Sequence, residues 1–227
     1  MEGIRRVLDV LLGAAGLVLL SPLFLVCALA IRLGSAGRVL YRQDRVGRHG
    51  RRFRIYKFRS MVANTDESEL LVTGEEDPRI TRAGRWLRRY KLDELPQLFN
   101  VLRGDMSLVG PRPRVEKYAR HYPEDLREVL LAVRPGITDS ATLRAIQQER
   151  RLGRVPAAER ERYYLERILP GEVRMNVEDI RRRTIASYFG ILVRTVFLLL
   201  RGGGEGALPA EAGSGRDPLA GDCREGG

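Results

Sequence analysis

Val10 to Ile31 is a run of 22 residues without a charge, bounded by Asp9 and Arg32. At about 1.5 Å of rise per residue, a straight helix of that length reaches roughly the ~30 Å of a bilayer's hydrocarbon core, so the pattern predicts membrane contact. Ser21-Pro22 falls mid-run, where proline removes a backbone donor and crowds the preceding turn; a kink is expected there. Basic residues flank both ends, Arg5 and Arg6 before and Arg32, Arg38, Arg42 and Arg45 after. Positive flanks mark the cytoplasmic side. Two topologies satisfy this pattern: a helix that bends at Ser21-Pro22 and returns to the leaflet it entered, or a kinked helix that spans. The run is longer than a signal peptide's apolar part and basic chain follows it at once, so cleavage is not expected.

Beyond the run the periodicity changes. Val39 to Gln43 and Arg52 to Phe58 are rich in β-branched and aromatic residues and are separated by Gly47-Arg48-His49-Gly50, which predicts a β-hairpin. The polar stretch holding Asp66, Glu67, Glu69, Glu75, Glu76 and Asp77 reads as loop. Arg79, Arg82, Arg85 and Arg88 recur every three residues around Ile80, Trp86 and Leu87, the pattern of a helix with one basic face. Pro96 disfavours helical backbone at Leu95, so this helix ends near Asp93-Glu94 and a second runs from Pro96 to Gly104. Arg134-Pro135-Gly136 marks a turn, and Pro156 to Ile168 predicts a helix ending before Pro170-Gly171. Ile185 to Leu200, 16 residues with Arg194 inside, fits an amphipathic surface or core helix better than a second span. Residues 202–227 include nine glycines and read as a disordered tail. The expected architecture is α/β, mainly helical with a small β-hairpin or sheet. It divides into an N-terminal membrane helix (1–35), one further domain (36–201) and the tail (202–227).

Composition narrows the class. Of 227 residues, 40 are Lys or Arg and 29 are Asp or Glu, a net charge of +11, with 44% apolar residues. That is enough apolar material for a core, which argues against global disorder, and too much charge for a multi-span channel. Cys27 and Cys223 lie in the apolar run and the tail, and His49 and His121 are the only histidines, so neither a disulfide framework nor a structural zinc site is expected. Ten basic residues face a single acid, Asp44, between Arg32 and Ser60, which points to anionic lipid or phosphate as a partner. No P-loop, dinucleotide fingerprint or nucleophilic serine elbow is present.

Adjacent helix residues point about 100° apart, so Asp93 and Glu94 suit two different tasks better than a facing acid and base. One carboxylate would attack or accept a proton while the other holds a divalent metal; Mg²⁺ fits, because it keeps waters and joins a few carboxylates to substrate phosphates. The same two acids also suit a plain helix end favoured by the dipole. Met106 to Pro113 ends in a rigid Pro-Arg-Pro turn that would aim Arg112 at a phosphate or carboxylate, or simply pair it with Asp105. Lys57 and Arg59, separated by Phe58, share a strand face and form a second anion clamp.

The ordered series Lys57-Phe58-Arg59-Ser60-Met61, Asp77-Pro78-Arg79-Ile80-Thr81-Arg82, Leu92-Asp93-Glu94-Leu95-Pro96-Gln97-Leu98 and Asn100 through Pro113 resembles the bacterial sugar transferase family, the monotopic phosphoglycosyl transferases. The likeness runs from the N-terminal segment to about Leu200. It implies an enzyme of the bacterial inner membrane, with amphipathic interfacial helices and its catalytic domain on the cytoplasmic face. Such an enzyme moves a sugar-1-phosphate from a UDP-sugar to undecaprenyl phosphate, releasing UMP, as the first membrane step of a glycoconjugate pathway. By the same resemblance Asp93 is the nucleophile, Glu94 a Mg²⁺ ligand, and Ser21-Pro22 the bend of a re-entrant helix in the lipid bilayer. Lys57, Arg59, Arg88 and Arg112 are the expected phosphate-binding set. Many relatives continue with Gly after Pro135-Gly136-Ile137-Thr138, whereas Asp139 stands here, which leaves the sugar open. The sequence does not fix the oligomeric state either, and a homodimer stays open.

Two other classes fit the charge. A membrane-tethered nucleic-acid binder would use the basic hairpin, but Phe53, Tyr56 and Phe58 are few aromatics and no reader motif is present, so nucleic acid is not an expected partner. A scaffold would bind anionic lipid through its arginines. In both, Asp93-Glu94 would be idle.

Overall fold

The computed structural model describes residues 1–62, 77–141, 155–156 and 158–200. Helices α1 (Glu2–Leu19) and α2 (Ser21–Gly34) are separated by Leu20 and bent by 60°. Pro22 has no N–H for the Val18 carbonyl four residues back, and Ser21 Oγ donates to that carbonyl instead at 2.8 Å. Among the described residues no single helix is long and apolar enough to cross a membrane; the bent pair together has the length and composition. Leu11, Val18, Leu19, Leu25, Val26, Leu29 and Leu33 are exposed, while Cys27 and Ile31 pack with Phe58 and Leu87.

The hairpin forms as its β-branched and aromatic residues predict. Strands β1 (Leu40–Val46) and β2 (Arg52–Phe58) pair antiparallel, with Tyr41 opposite Lys57, Gln43 opposite Ile55 and Arg45 opposite Phe53. Its turn runs through Arg48–Gly50, where His49 and Gly50 take φ of 57° and 73°. On one face Ile55 is buried and Phe53 packs against the core. On the other, Arg42 stacks over the Tyr56 ring and Arg54 lies 3.7 Å from Asp44.

Helix α3 (Arg82–Arg89) begins later than the arginine row because Thr81 caps it, its Oγ1 accepting from Gly84 N at 2.9 Å. Arg79 thus stays outside the helix and pairs with Asp77 at 2.7 Å. Helix α4 (Gln97–Arg103) follows Pro96 and stops at Gly104, whose φ of 93° suits glycine. The expected turn at Arg134-Pro135-Gly136 instead leads into a strand: β3 (Ser107–Val109) and β4 (Gly136–Thr138) pair in parallel. A Cβ on Gly136 would meet Gly110 N at 2.1 Å, so this approach of two backbones requires glycine.

Helices α5 (Glu116–Ala119) and α6 (Glu124–Leu131) lie between the two strands. The helix expected to end before Pro170-Gly171 continues: α7 (Arg160–Tyr163) passes through a π-helical stretch, Tyr164–Ile168, into α8 (Leu169–Arg181). Pro170 sits in the first turn of α8, where a missing N–H is tolerated. Helix α9 (Ile185–Leu200) has the predicted bounds. The core divides into Cys27, Ile31, Phe58 and Leu87; a cluster around Leu98, Val101, Met106 and Tyr188; and one around Tyr118, Tyr164, Leu169 and Val173. The described residues are mainly helical, with two small two-stranded sheets. The acids from Asp66 to Glu76 and the 202–227 tail lie outside the described residues.

Candidate active site

Three elements converge on Glu94. A short 3₁₀ turn, Leu92–Glu94, links α3 to α4, entered through Lys91 at a φ of 53°. It leaves Asp93 and Glu94 buried, 8% and 7% exposed. Glu94 Oε1 accepts from Lys57 Nζ of β2 at 2.9 Å and from Arg112 Nη2 at 2.5 Å, while Oε2 accepts from Arg112 Nη1 at 3.2 Å. Arg112 therefore grips Glu94, not Asp105, whose Oδ2 accepts from Asn100.

The two acids differ in electrostatics. Burial opposes the charge of Glu94, but Arg112 and Lys57 outweigh it and hold this carboxyl well below the usual range. Burial pushes Asp93 upward; Lys57 offsets part of this, and neighbouring Glu94 adds to it. Asp93 Oδ1 is buried without a hydrogen-bond partner. Such an atom is rare in a native interior, and this one lies beside a lysine and a guanidinium. Arg88 of α3 and Lys91 both favour the ionised form of Asp93.

Two residues that sequence reasoning missed hold the site in place. Asn100 of α4 is fully buried: its Oδ1 accepts from Tyr56 N at 3.0 Å and its Nδ2 donates to the Arg54 carbonyl at 2.9 Å, tying α4 to the free edge of β2. A polar residue between Leu98 and Val101 was the available signal. Asp139, 3% exposed, accepts from Arg112 N at 3.2 Å. Pro111-Arg112-Pro113 has a single backbone N–H, and Asp139 takes it, while Gly136 N holds the Pro111 carbonyl at 2.9 Å.

Arg59 does not join Lys57. It lies one residue past β2 and donates to the Ser35 carbonyl at 2.7 Å, Ser35 Oγ at 2.8 Å and the Ala36 carbonyl at 2.6 Å, at the C-terminal end of α2. A cation there complements the helix dipole. Among the described residues no group of three or more His, Cys, Asp or Glu gathers as a metal cage. Magnesium does not need one, since one or two carboxylates with substrate phosphates and waters suffice. Ionised Glu94 beside the unsatisfied Asp93 Oδ1 fits that requirement.

The family model described as bacterial sugar transferase matches residues 1–202. Over 137 residues, 60% of the chain, it is 43% identical to a UDP-N-acetylgalactosamine-undecaprenyl-phosphate N-acetylgalactosaminephosphotransferase of Aeromonas hydrophila, covering 32% of that protein. Over 145 residues, 63% of the chain, it is 45% identical to a UDP-glucose:undecaprenyl-phosphate glucose-1-phosphate transferase of Caulobacter vibrioides, covering 54% of it. The protein of the same description from Escherichia coli is 40% identical over 149 residues, 63% of the chain and 32% of the relative. The chain thus spans roughly a third to a half of the length of these three relatives. With the family model covering residues 1–202 of 227, the chain belongs to the bacterial sugar transferase family.

Proposed function

We propose that this chain transfers a sugar-1-phosphate from a UDP-sugar to undecaprenyl phosphate through a covalent intermediate on Asp93. The observation that carries the reading is the buried, unpartnered Asp93 Oδ1 beside the Lys57–Glu94–Arg112 cluster. An oxygen of Asp93 attacks the phosphorus that bears the sugar, the bond from that phosphorus to the bridging oxygen breaks, and UMP leaves with the electron pair. A phosphate oxygen of the acceptor then attacks the same phosphorus, releasing the Asp93 carboxylate and undecaprenyl diphosphate sugar. Lys57 and Arg112 fix Glu94 and supply positive charge where phosphoryl oxygens gather. Mg²⁺ held by Glu94 would neutralise diphosphate charge. The substrate pair is supported by the names of the relatives, which carry UDP-sugars and undecaprenyl phosphate.

A re-entrant membrane helix is supported by where both ends of the bent pair are tied. Near the start of α1, Arg5 donates to the Val109 carbonyl at 3.1 Å, and Arg6 to the Val101 and Leu102 carbonyls at 2.5 and 2.9 Å. At the end of α2, Ser35 and Ala36 are held by Arg59. A spanning helix would put those ends about 30 Å apart on opposite faces of the bilayer. Exposed Phe189, Val193, Val196 and Phe197 of α9 add a second apolar surface, and the acceptor's phosphate already lies at the headgroup plane beside it.

The test is UMP release by detergent-solubilised protein from UDP-glucose, UDP-galactose and UDP-N-acetylgalactosamine, with Mg²⁺ and undecaprenyl phosphate. We expect release with at least one donor, lost in Asp93→Asn and on chelation. Full activity in Asp93→Asn refutes the nucleophile.

A further inference from the structure

The core-facing side of the hairpin carries a cation that the mechanism above leaves unused. Cross-strand partners share a face, so Arg45, opposite Phe53, lies on the same face as Lys57, opposite Tyr41. Its Nη2 donates to Gln43 Oε1 at 2.5 Å, two residues back towards Lys57. Its Nη1 reaches the Pro113 carbonyl at 3.4 Å, in the turn that carries Arg112. Its Nε is buried with no hydrogen-bond partner.

The neighbouring guanidiniums are committed. Arg112 is paired with Glu94 and Arg114 with Glu172, each at 2.5 Å, whereas among the described residues Arg45 has no acid of its own. Burial and the charges of Arg112 and Arg114 push its guanidinium down to about 10, still protonated at neutral pH. A buried donor left unspent beside two like charges is an arrangement that an anion completes.

We propose that Arg45 is a donor-binding residue whose guanidinium takes a phosphoryl oxygen of the nucleoside diphosphate, with Gln43 aiming it. This rests on the transferase reading above and assigns the diphosphate a contact beyond Lys57 and Arg112. Those two already serve Glu94, whereas Arg45 Nε is buried with no partner.

The experiment is isothermal titration of UDP into the detergent-solubilised full chain with Mg²⁺. It compares wild type, Arg45→Gln, Arg45→Lys and, as a control on the opposite hairpin face, Arg42→Gln. Loss of one charge-assisted contact weakens UDP binding about ten- to hundredfold in Arg45→Gln. Arg45→Lys keeps the charge but not the fork, and weakens binding severalfold. Arg42→Gln binds as wild type. Inorganic diphosphate displaces UDP from wild type and, in Arg45→Gln, needs a correspondingly higher concentration to be bound at all. Unchanged UDP affinity in Arg45→Gln overturns the assignment of Arg45 and leaves the transferase reading standing. If Arg45→Gln does not fold, unchanged affinity in Arg45→Lys overturns it equally. Folded wild type that binds no UDP overturns both.

Discussion

Asp93 and Glu94 are neighbours in sequence with opposite electrostatic fates, and the difference lies in what each oxygen touches. Glu94 is compensated by two cations, and Asp93 keeps a buried oxygen without a partner. Because the folded-state pKa of Glu94 is depressed, its contribution to stability is present above the unfolded value of about 4.3 and is lost as pH falls through the folded value. Glu94→Gln therefore lowers the melting temperature at pH 7. Asp93 has the reverse sign: its folded pKa is raised, so its charge costs stability at neutral pH, and that cost disappears as pH falls through the folded value. Asp93→Asn should raise the melting temperature at pH 7, with the gain shrinking towards pH 4, while transfer is lost. Thermal unfolding of the three proteins between those pH values checks both signs. Since Lys57 favours ionised Asp93, Lys57→Met should move the acid limb of the kcat/KM profile to higher pH.

At the scale of elements, the catalytic turn is held by contacts between segments far apart in the chain. Asp9 of α1 is 2% exposed, and its Oδ1 accepts from Ser107 Oγ at 3.0 Å, Leu108 N at 2.9 Å and Tyr188 OH at 2.8 Å. One carboxylate thus joins α1, β3 and α9. Asp9→Ala orphans all three donors, and a loss of about 2–4 kcal/mol in urea unfolding is expected, the range for breaking a buried network of this kind. Asn100→Ala, which frees α4 from β2, should lower kcat more than that loss of stability explains. The bend at Leu20 gives a topological prediction. A cysteine placed at Gly3, where a side chain meets nothing within 4 Å, should react only with a membrane-permeant label in intact cells. Labelling by an impermeant reagent from outside contradicts the re-entrant arrangement.

Across the whole molecule, legibility followed the range of the interaction. The kink at Pro22, the hairpin and the Gly104 stop are set by local backbone chemistry, and the sequence alone predicts each of them. The break expected near Asp93-Glu94 comes earlier instead: α3 ends at Arg89 and Lys91 turns left-handed, while Leu95 keeps helical φ and ψ ahead of Pro96. The β3–β4 pair was not legible, because three-residue strands carry no alternation and their partnership spans an intervening pair of helices. Nor was the Asp9–Tyr188 contact, which joins residues 179 apart. Arg59 turned the other way because it falls just after β2, where strand alternation no longer dictates side-chain direction. In the site, Asp93, Glu94 and Arg112 were readable as charges at turns and Lys57 as a charge on a strand, whereas Asn100 and Asp139 act through hydrogen bonds that only the packed fold creates.

The most direct test of the central claim is the intact mass of the protein after incubation with a UDP-sugar and Mg²⁺ in the absence of acceptor. The account predicts a mass gain of one sugar phosphate, mapped to the peptide containing Asp93, absent in Asp93→Asn and discharged on adding undecaprenyl phosphate. Complete turnover with acceptor but no adduct on Asp93 under any donor, with Asp93→Asn still active, would contradict it.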